Sequence, residues 1–103
     1  MAVLQVTKYD VPADKLEAYS KWAGEALKRS LAVPGVVEFR AYRPTVGGSL
    51  VVQTHEFADL AAWAAWRSNK ELEKVVDELE TFVVNLTVEL WGPSPIVPEP
   101  IRP

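Results

Sequence analysis

The chain contains no cysteine, and that one absence removes a broad range of chemistry. Without a thiol there is no disulfide, no thiolate nucleophile and no sulfur-ligated metal site. A single histidine, His55, likewise excludes a multi-histidine metal centre within one chain. A mixed histidine and carboxylate site has no supporting spacing, so the expectation is no metal and no cofactor. Cations are also scarce: 11 Lys and Arg stand against 14 Asp and Glu, a net charge of −3. Nucleic acids and anionic membranes both reward clustered Lys and Arg, so neither is expected as a partner. No apolar run approaches the roughly 20 residues of a membrane span. The opening residues MAVLQVTKYD lack the basic, apolar and small-residue zones of a signal peptide, so the expected location is cytoplasmic.

What is present describes one folded domain. At 103 residues, 49% hydrophobic and 24% charged, the chain can bury a core but is small enough to gain from oligomerisation. Residues 2–9 alternate as a strand, and Pro12 opens a helix that runs to about Ala32. Leu16, Tyr19, Ala23, Leu27 and Leu31 form its apolar stripe, and Pro34-Gly35 stops it. Residues 36–43 and 49–57 read as strands joined through Thr45-Val46-Gly47-Gly48, a hairpin turn. A short helix follows from Asp59 to Arg67. Ser68-Asn69-Lys70-Glu71 has the form of a capping box that starts another helix, which turns Leu72, Val75, Val76 and Leu79 inward. Residues 82–91 are the last strand. Five prolines among the final twelve residues favour an extended tail.

The order β-α-β-β-α-β is the ferredoxin-like α+β arrangement, with a four-stranded antiparallel sheet. It assigns residues 1–92 to one domain and 93–103 to a proline-rich tail. Helices on one sheet face leave the other bare, and a second copy of the chain is the simplest cover, so a homodimer is expected. The tail either straps onto that partner or hangs free.

Each strand carries one polar side. Gln5, Thr7 and Tyr9 share a side of the first, Glu38, Arg40 and Tyr42 of the second, Gln53 and His55 of the third, Asn85, Thr87, Glu89 and Trp91 of the fourth. These are hydrogen-bonding, titratable and aromatic groups, the lining of a small-molecule site if something covers them.

The segment from Val33 to Phe82 resembles the antibiotic biosynthesis monooxygenase family of the dimeric α+β barrel superfamily. The resemblance rests on Pro34-Gly35-Val36, the hairpin with Gly47-Gly48, and QTHEFADLAAWAAWRSNKELEKVVDEL. It implies a fold that pairs as a dimeric barrel and, for some members, cofactor-free oxidation of aromatic molecules. Quinone-forming members carry an Asn on the third strand, a Trp at its end and a Tyr in the following helix. Here those places hold Gln53, Phe57 and Trp63, and a histidine near the end of the second strand is replaced by Arg43. In the haem-degrading branch a helix Trp corresponds to Trp66 and a first-strand Asn to Gln5. The axial histidine of that branch falls on Val76, which argues against haem degradation.

On this reading His55 is the candidate base, because only an imidazole changes charge near neutrality without perturbation. Gln53 and Arg40 are the candidate groups to hold an oxyanion, and Phe57, Trp63, Trp66, Tyr9 and Tyr42 the candidate walls for a small aromatic or quinone-like ligand. Each also has a plainer reading: a satisfied strand histidine, cross-strand ion pairs, core-filling aromatics and, for Arg67, solvated helix surface. Three functions stay open. The chain is a cofactor-independent monooxygenase, an isomerase or cyclase on the same fold, or a non-catalytic binding or structural dimer. The resemblance places Gln53 between helices and sheet and turns His55 inward beside Trp63. Simple amphipathicity instead sends the polar groups to the bare face.

Overall fold

A computed structural model describes residues 2–103. Its elements are β1 (Val3–Asp10), α1 (Leu16–Ala32, entered through a 3-10 turn at Ala13–Lys15), β2 (Val36–Tyr42), β3 (Val51–Phe57), α2 (Leu60–Arg67), α3 (Lys70–Glu80) and β4 (Val84–Trp91). The four strands form one antiparallel sheet in the order β2-β3-β1-β4, the ferredoxin-like arrangement. Residues beyond Trp91 form no helix or strand.

Register decides which side chains share a face. Gln5 pairs with His55 and Thr7 with Gln53 across β1 and β3, so these four lie together. On β2 it is Phe39 that pairs with His55, and on β4 it is Val88 that pairs with Thr7. The polar sides of the four strands therefore do not coincide. Those of β1 and β3 face the helices, whereas Glu38, Arg40 and Tyr42 of β2, and Thr87, Glu89 and Trp91 of β4, face the opposite way. Alternation within each strand was legible, but the phase between strands is set by pairing.

The helices also differ in detail from expectation. α1 buries Ala26 and Ser30 and turns Tyr19, Trp22, Ala23 and Leu27 towards the sheet. Leu16 and Leu31 are left exposed at its two ends. α3 is capped by Asn69, whose side chain accepts from the Glu71 backbone N–H at 2.9 Å. Ser68 instead donates back to the Ala64 carbonyl at 2.8 Å, closing α2. Asn69 interrupts the two helices more effectively than a Ser68 cap would, because its own extended backbone lies between them.

The core sits at one end of the layered structure, where Val33, Phe57, Trp66 and Leu72 pack together. Gly35 makes this packing possible. Its φ is +130°, and a Cβ there would meet the Ala62 carbonyl oxygen and the Trp66 Cβ, both at 3.4 Å. Replacing Gly35 by Ala combines a backbone conformation that L residues rarely adopt with pressure on α2. The variant is expected to lose on the order of 1–3 kcal/mol in urea unfolding. An unchanged midpoint would show that the loop relaxes freely around the new methyl group.

Candidate functional site

Between the sheet and the helices lies a cavity of about 120 Å³, floored by Gln5, Thr7, Tyr9, Gln53, His55, Leu86 and Val88. Its roof comes from α1 and α3, with Trp66 and Arg67 of α2 at one end. The size is of the order of the ~150 Å³ apolar cavity that admits benzene, so it holds about one aromatic ring.

Two aromatic groups close its ends. At one, the His55 ring lies 5.1 Å from Trp66 and 4.9 Å from Phe39, and Trp66 stacks at 5.1 Å on Phe57. At the other, Tyr9, Tyr19, Trp22 and Phe82 form a chain of ring contacts between 5.1 and 6.4 Å. The indoles are tied down by their own donors. Trp66 Nε1 donates to the Ser30 carbonyl at 3.1 Å, and Trp63 Nε1 to Gln5 Oε1 at 2.9 Å. Trp22 Nε1 donates to Glu78 at 2.8 Å. Glu78 also accepts from Arg29 at 2.7 Å, joining α1 to α3 over the cavity. Arg29 and, to a lesser degree, Trp22 hold the Glu78 carboxyl down to about 2.

His55 is the unusual group. It is only 6% exposed, and among the described residues its fully buried Nδ1 has no hydrogen-bond partner. Burial alone pushes the imidazole down to about 4, so it is neutral at physiological pH. A buried, unpaired ring nitrogen carries a desolvation cost that a bound donor would offset. Beside it, Gln53 Nε2 donates to the Tyr9 hydroxyl at 3.5 Å, and Tyr9 is hydrogen-bonded to Tyr19. Burial raises the Tyr9 phenol above its ordinary range, so it stays protonated. The cavity lining contains no carboxylate, and Arg67 is its one charged side chain.

The structure thus brings together His55, Gln53, Tyr9 and Trp66. Phe57 is fully buried beneath Trp66 and supports the wall without lining it, and Trp63 acts through Gln5. Arg40 and Tyr42 are elsewhere. Arg40 bonds Glu38 at 2.6 Å on the exposed opposite face, and Tyr42 is 51% exposed there. Neither reaches the cavity, because the β2 residue beside His55 is Phe39. Gln5, Thr7, Tyr19 and Trp22 also line the cavity; sequence reasoning put the first two on the polar side of β1 but named none of the four among its candidate site residues. Their pairing opposite His55 and Gln53 is the signal that would have found them. Arg67, expected as solvated surface, is half-buried at the cavity edge. Among the described residues no group of three His, Asp or Glu side chains is placed to hold a metal ion.

The sequence matches the antibiotic biosynthesis monooxygenase family over residues 2–78. No curated protein matches it. Among solved structures, SnoaB, a cofactor-independent oxygenase from Streptomyces nogalater, superposes with a TM-score of 0.71 at 17% identity, covering 95% of this chain and 98% of that one. Rv0793 from Mycobacterium tuberculosis gives 0.74 at 14% identity, covering 91% and 96%. An ethyl tert-butyl ether d (ethd) family protein from Bacillus halodurans gives 0.77 at 14%, covering 91% and 100%. At these identities the structures share the fold.

The buried imidazole has a measurable consequence. The unfolded chain takes up the His55 proton near pH 6.5, but the folded protein resists it down to about 4. Stability is therefore full above pH 6.5 and declines as pH falls towards 4, by on the order of 3 kcal/mol. Thermal melts from pH 7.5 to 4.5 should show this decline, and His55→Phe should flatten it in the upper part of that window. An equal slope in both proteins would mean that His55 titrates freely.

Proposed function

This chain belongs to the antibiotic biosynthesis monooxygenase family, and from that premise we propose that it is a cofactor-independent oxygenase of single-ring phenols. The observation that carries the reading is His55: a neutral imidazole that lines an aromatic-walled cavity of one-ring size.

Magnitudes constrain how the imidazole acts. Moving a proton from a free phenol, with a pKa near 10, onto a group near 4 costs about 8 kcal/mol, so prior deprotonation is disfavoured. His55 instead accepts a hydrogen bond from the phenol and takes the proton as the ring is oxidised, when the O–H becomes strongly acidic. Four electrons pass from ring to dioxygen. The phenolic O–H and one ring C–H break, and one oxygen atom forms the new carbonyl. The other leaves as water with both hydrogens, giving a quinone. Gln53 Nε2 has one N–H on Tyr9 and a second, without an acceptor among the described residues, to steady the developing carbonyl. Arg40, on the far face, has no part in this.

A binding protein is the second reading. It is favoured by the replacement of the family's strand Asn and helix Tyr with Gln53 and Trp63. Oxygen uptake with phenol and its alkyl derivatives separates the two. Wild type should consume oxygen, and His55→Phe should lower the rate by about 10²–10⁴-fold. Ligand binding without uptake would leave the binding reading standing.

The assembly proposed is a homodimer paired through the bare sheet face, where Tyr42 and Trp91 are each about half exposed. Light scattering at micromolar concentration should give twice the monomer mass, and Tyr42→Glu with Trp91→Glu should halve it. A wild-type monomer would contradict this assembly.

A further inference from the structure

The cavity is unfinished on one side. β4 is an edge strand, paired only with β1. Leu86, Val88 and Leu90 alternate along its helix-facing side. Leu86 and Val88 line the cavity, yet Val88 is 52% exposed, and Leu90 beyond it is exposed as well. A wall residue half open to water marks where the helices stop short of the sheet edge. The gap is apolar, and it runs along an edge of the kind that folded proteins ordinarily protect.

The same chain carries an apolar segment with nothing to cover. Within residues 93–103, Ile96 is 90% exposed and Ile101 is 76% exposed. The radius of gyration, 14.8 Å, exceeds the roughly 13 Å of a compact chain of this length, in keeping with a segment that stands off the body. Five prolines fix their own φ and bias each preceding residue towards extended backbone, so the tail has little freedom to lose on docking. Lacking N–H groups at those positions, it suits a groove that meets side chains better than it suits a fifth strand. At about 3.1 Å per residue the tail reaches about 34 Å, more than the roughly 27 Å of β4.

Resting on the homodimer reading, we infer that the tail of one protomer lies across Leu86, Val88 and Leu90 of the other and closes the β4 side of its cavity. Within one chain the stripe and the tail both stay uncovered, although the tail starts from the end of that strand. A twofold pair covers both at once. Each tail meets the other protomer's stripe, and no apolar end is left to recruit a third chain. The site is then composite: one wall is supplied in trans, and each cavity is complete only in the assembly.

Because the chain has no cysteine, a thiol placed at Val88 is a clean reporter. Labelling of Val88→Cys by a maleimide should be slow in the otherwise native protein. Adding Ile96→Asp and Ile101→Asp, which keep the chain at full length, should speed it at least tenfold. That triple variant is then refolded together with an excess of wild type, and native mass spectrometry confirms the mixed dimers. In them labelling should be slow again, because the wild-type tail covers the reporter. Equal rates with and without the tail substitutions would overturn the inference. A tail effect that wild-type chains fail to rescue would overturn it too, since each tail would then cover its own strand. In both cases the dimer stands and only this inference falls. If wild type is a monomer by light scattering, the homodimer falls and takes the inference with it.

Discussion

Trp66 is the member that the rest of the structure depends on. Its indole N–H reaches the Ser30 carbonyl of α1, and its ring covers Phe57 and abuts His55. Its Cβ lies 3.4 Å from where a Cβ at Gly35 would stand, so the loop there has room only for glycine's hydrogen. One side chain thereby fixes α2 to α1, sets the height of both above β3 and forms the end wall of the cavity. Because interiors pack at near-crystalline density, such a large ring dictates the spacing of the layers around it. Between Trp66 and the cluster of Tyr9, Tyr19 and Trp22 no side chain fills the gap between helices and strands, and that unfilled length is the cavity.

His55 and Trp66 illustrate how polarity is tolerated in this interior. Trp66 brings a single donor into the core and satisfies it at once. His55 brings a nitrogen that no neighbour serves, and burial responds by keeping the ring uncharged. The wall aromatics supply area, and the strand amide and hydroxyls supply direction. Charge is kept at the rim, in Arg67, and on the outer surface, in the Arg29–Glu78 pair. A neutral, directional, single-ring space is the outcome.

Most of the fold was legible because it depends on local signals. Strand alternation, Pro34-Gly35 and the inward set on α3 all act within a few residues, and the segment resembling a known family reinforced them. Polar residues on each strand were also correctly recognised as lying on one side of that strand. What a linear reading could not supply was the phase between strands. Phe39, not Arg40, is paired with His55, and that single register choice takes Arg40 and Tyr42 out of the cavity and leaves Gln5 and Thr7 in it. Likewise, the inward stripe of α1 keeps Tyr19, Ala23 and Leu27 but broadens to one side through Trp22, Ala26 and Ser30, leaving Leu31 exposed.

The bond network over the cavity has one more implication. α1 and α3 are held together above it by Glu78, Arg29 and Glu71, groups that face water and whose attraction is screened by salt. The cavity floor is made of neutral sheet residues, so these ion pairs are the part of its surroundings that dissolved salt weakens most. The packing of the two helices over the cavity therefore responds to ionic strength, whereas the polarity of the floor beneath does not.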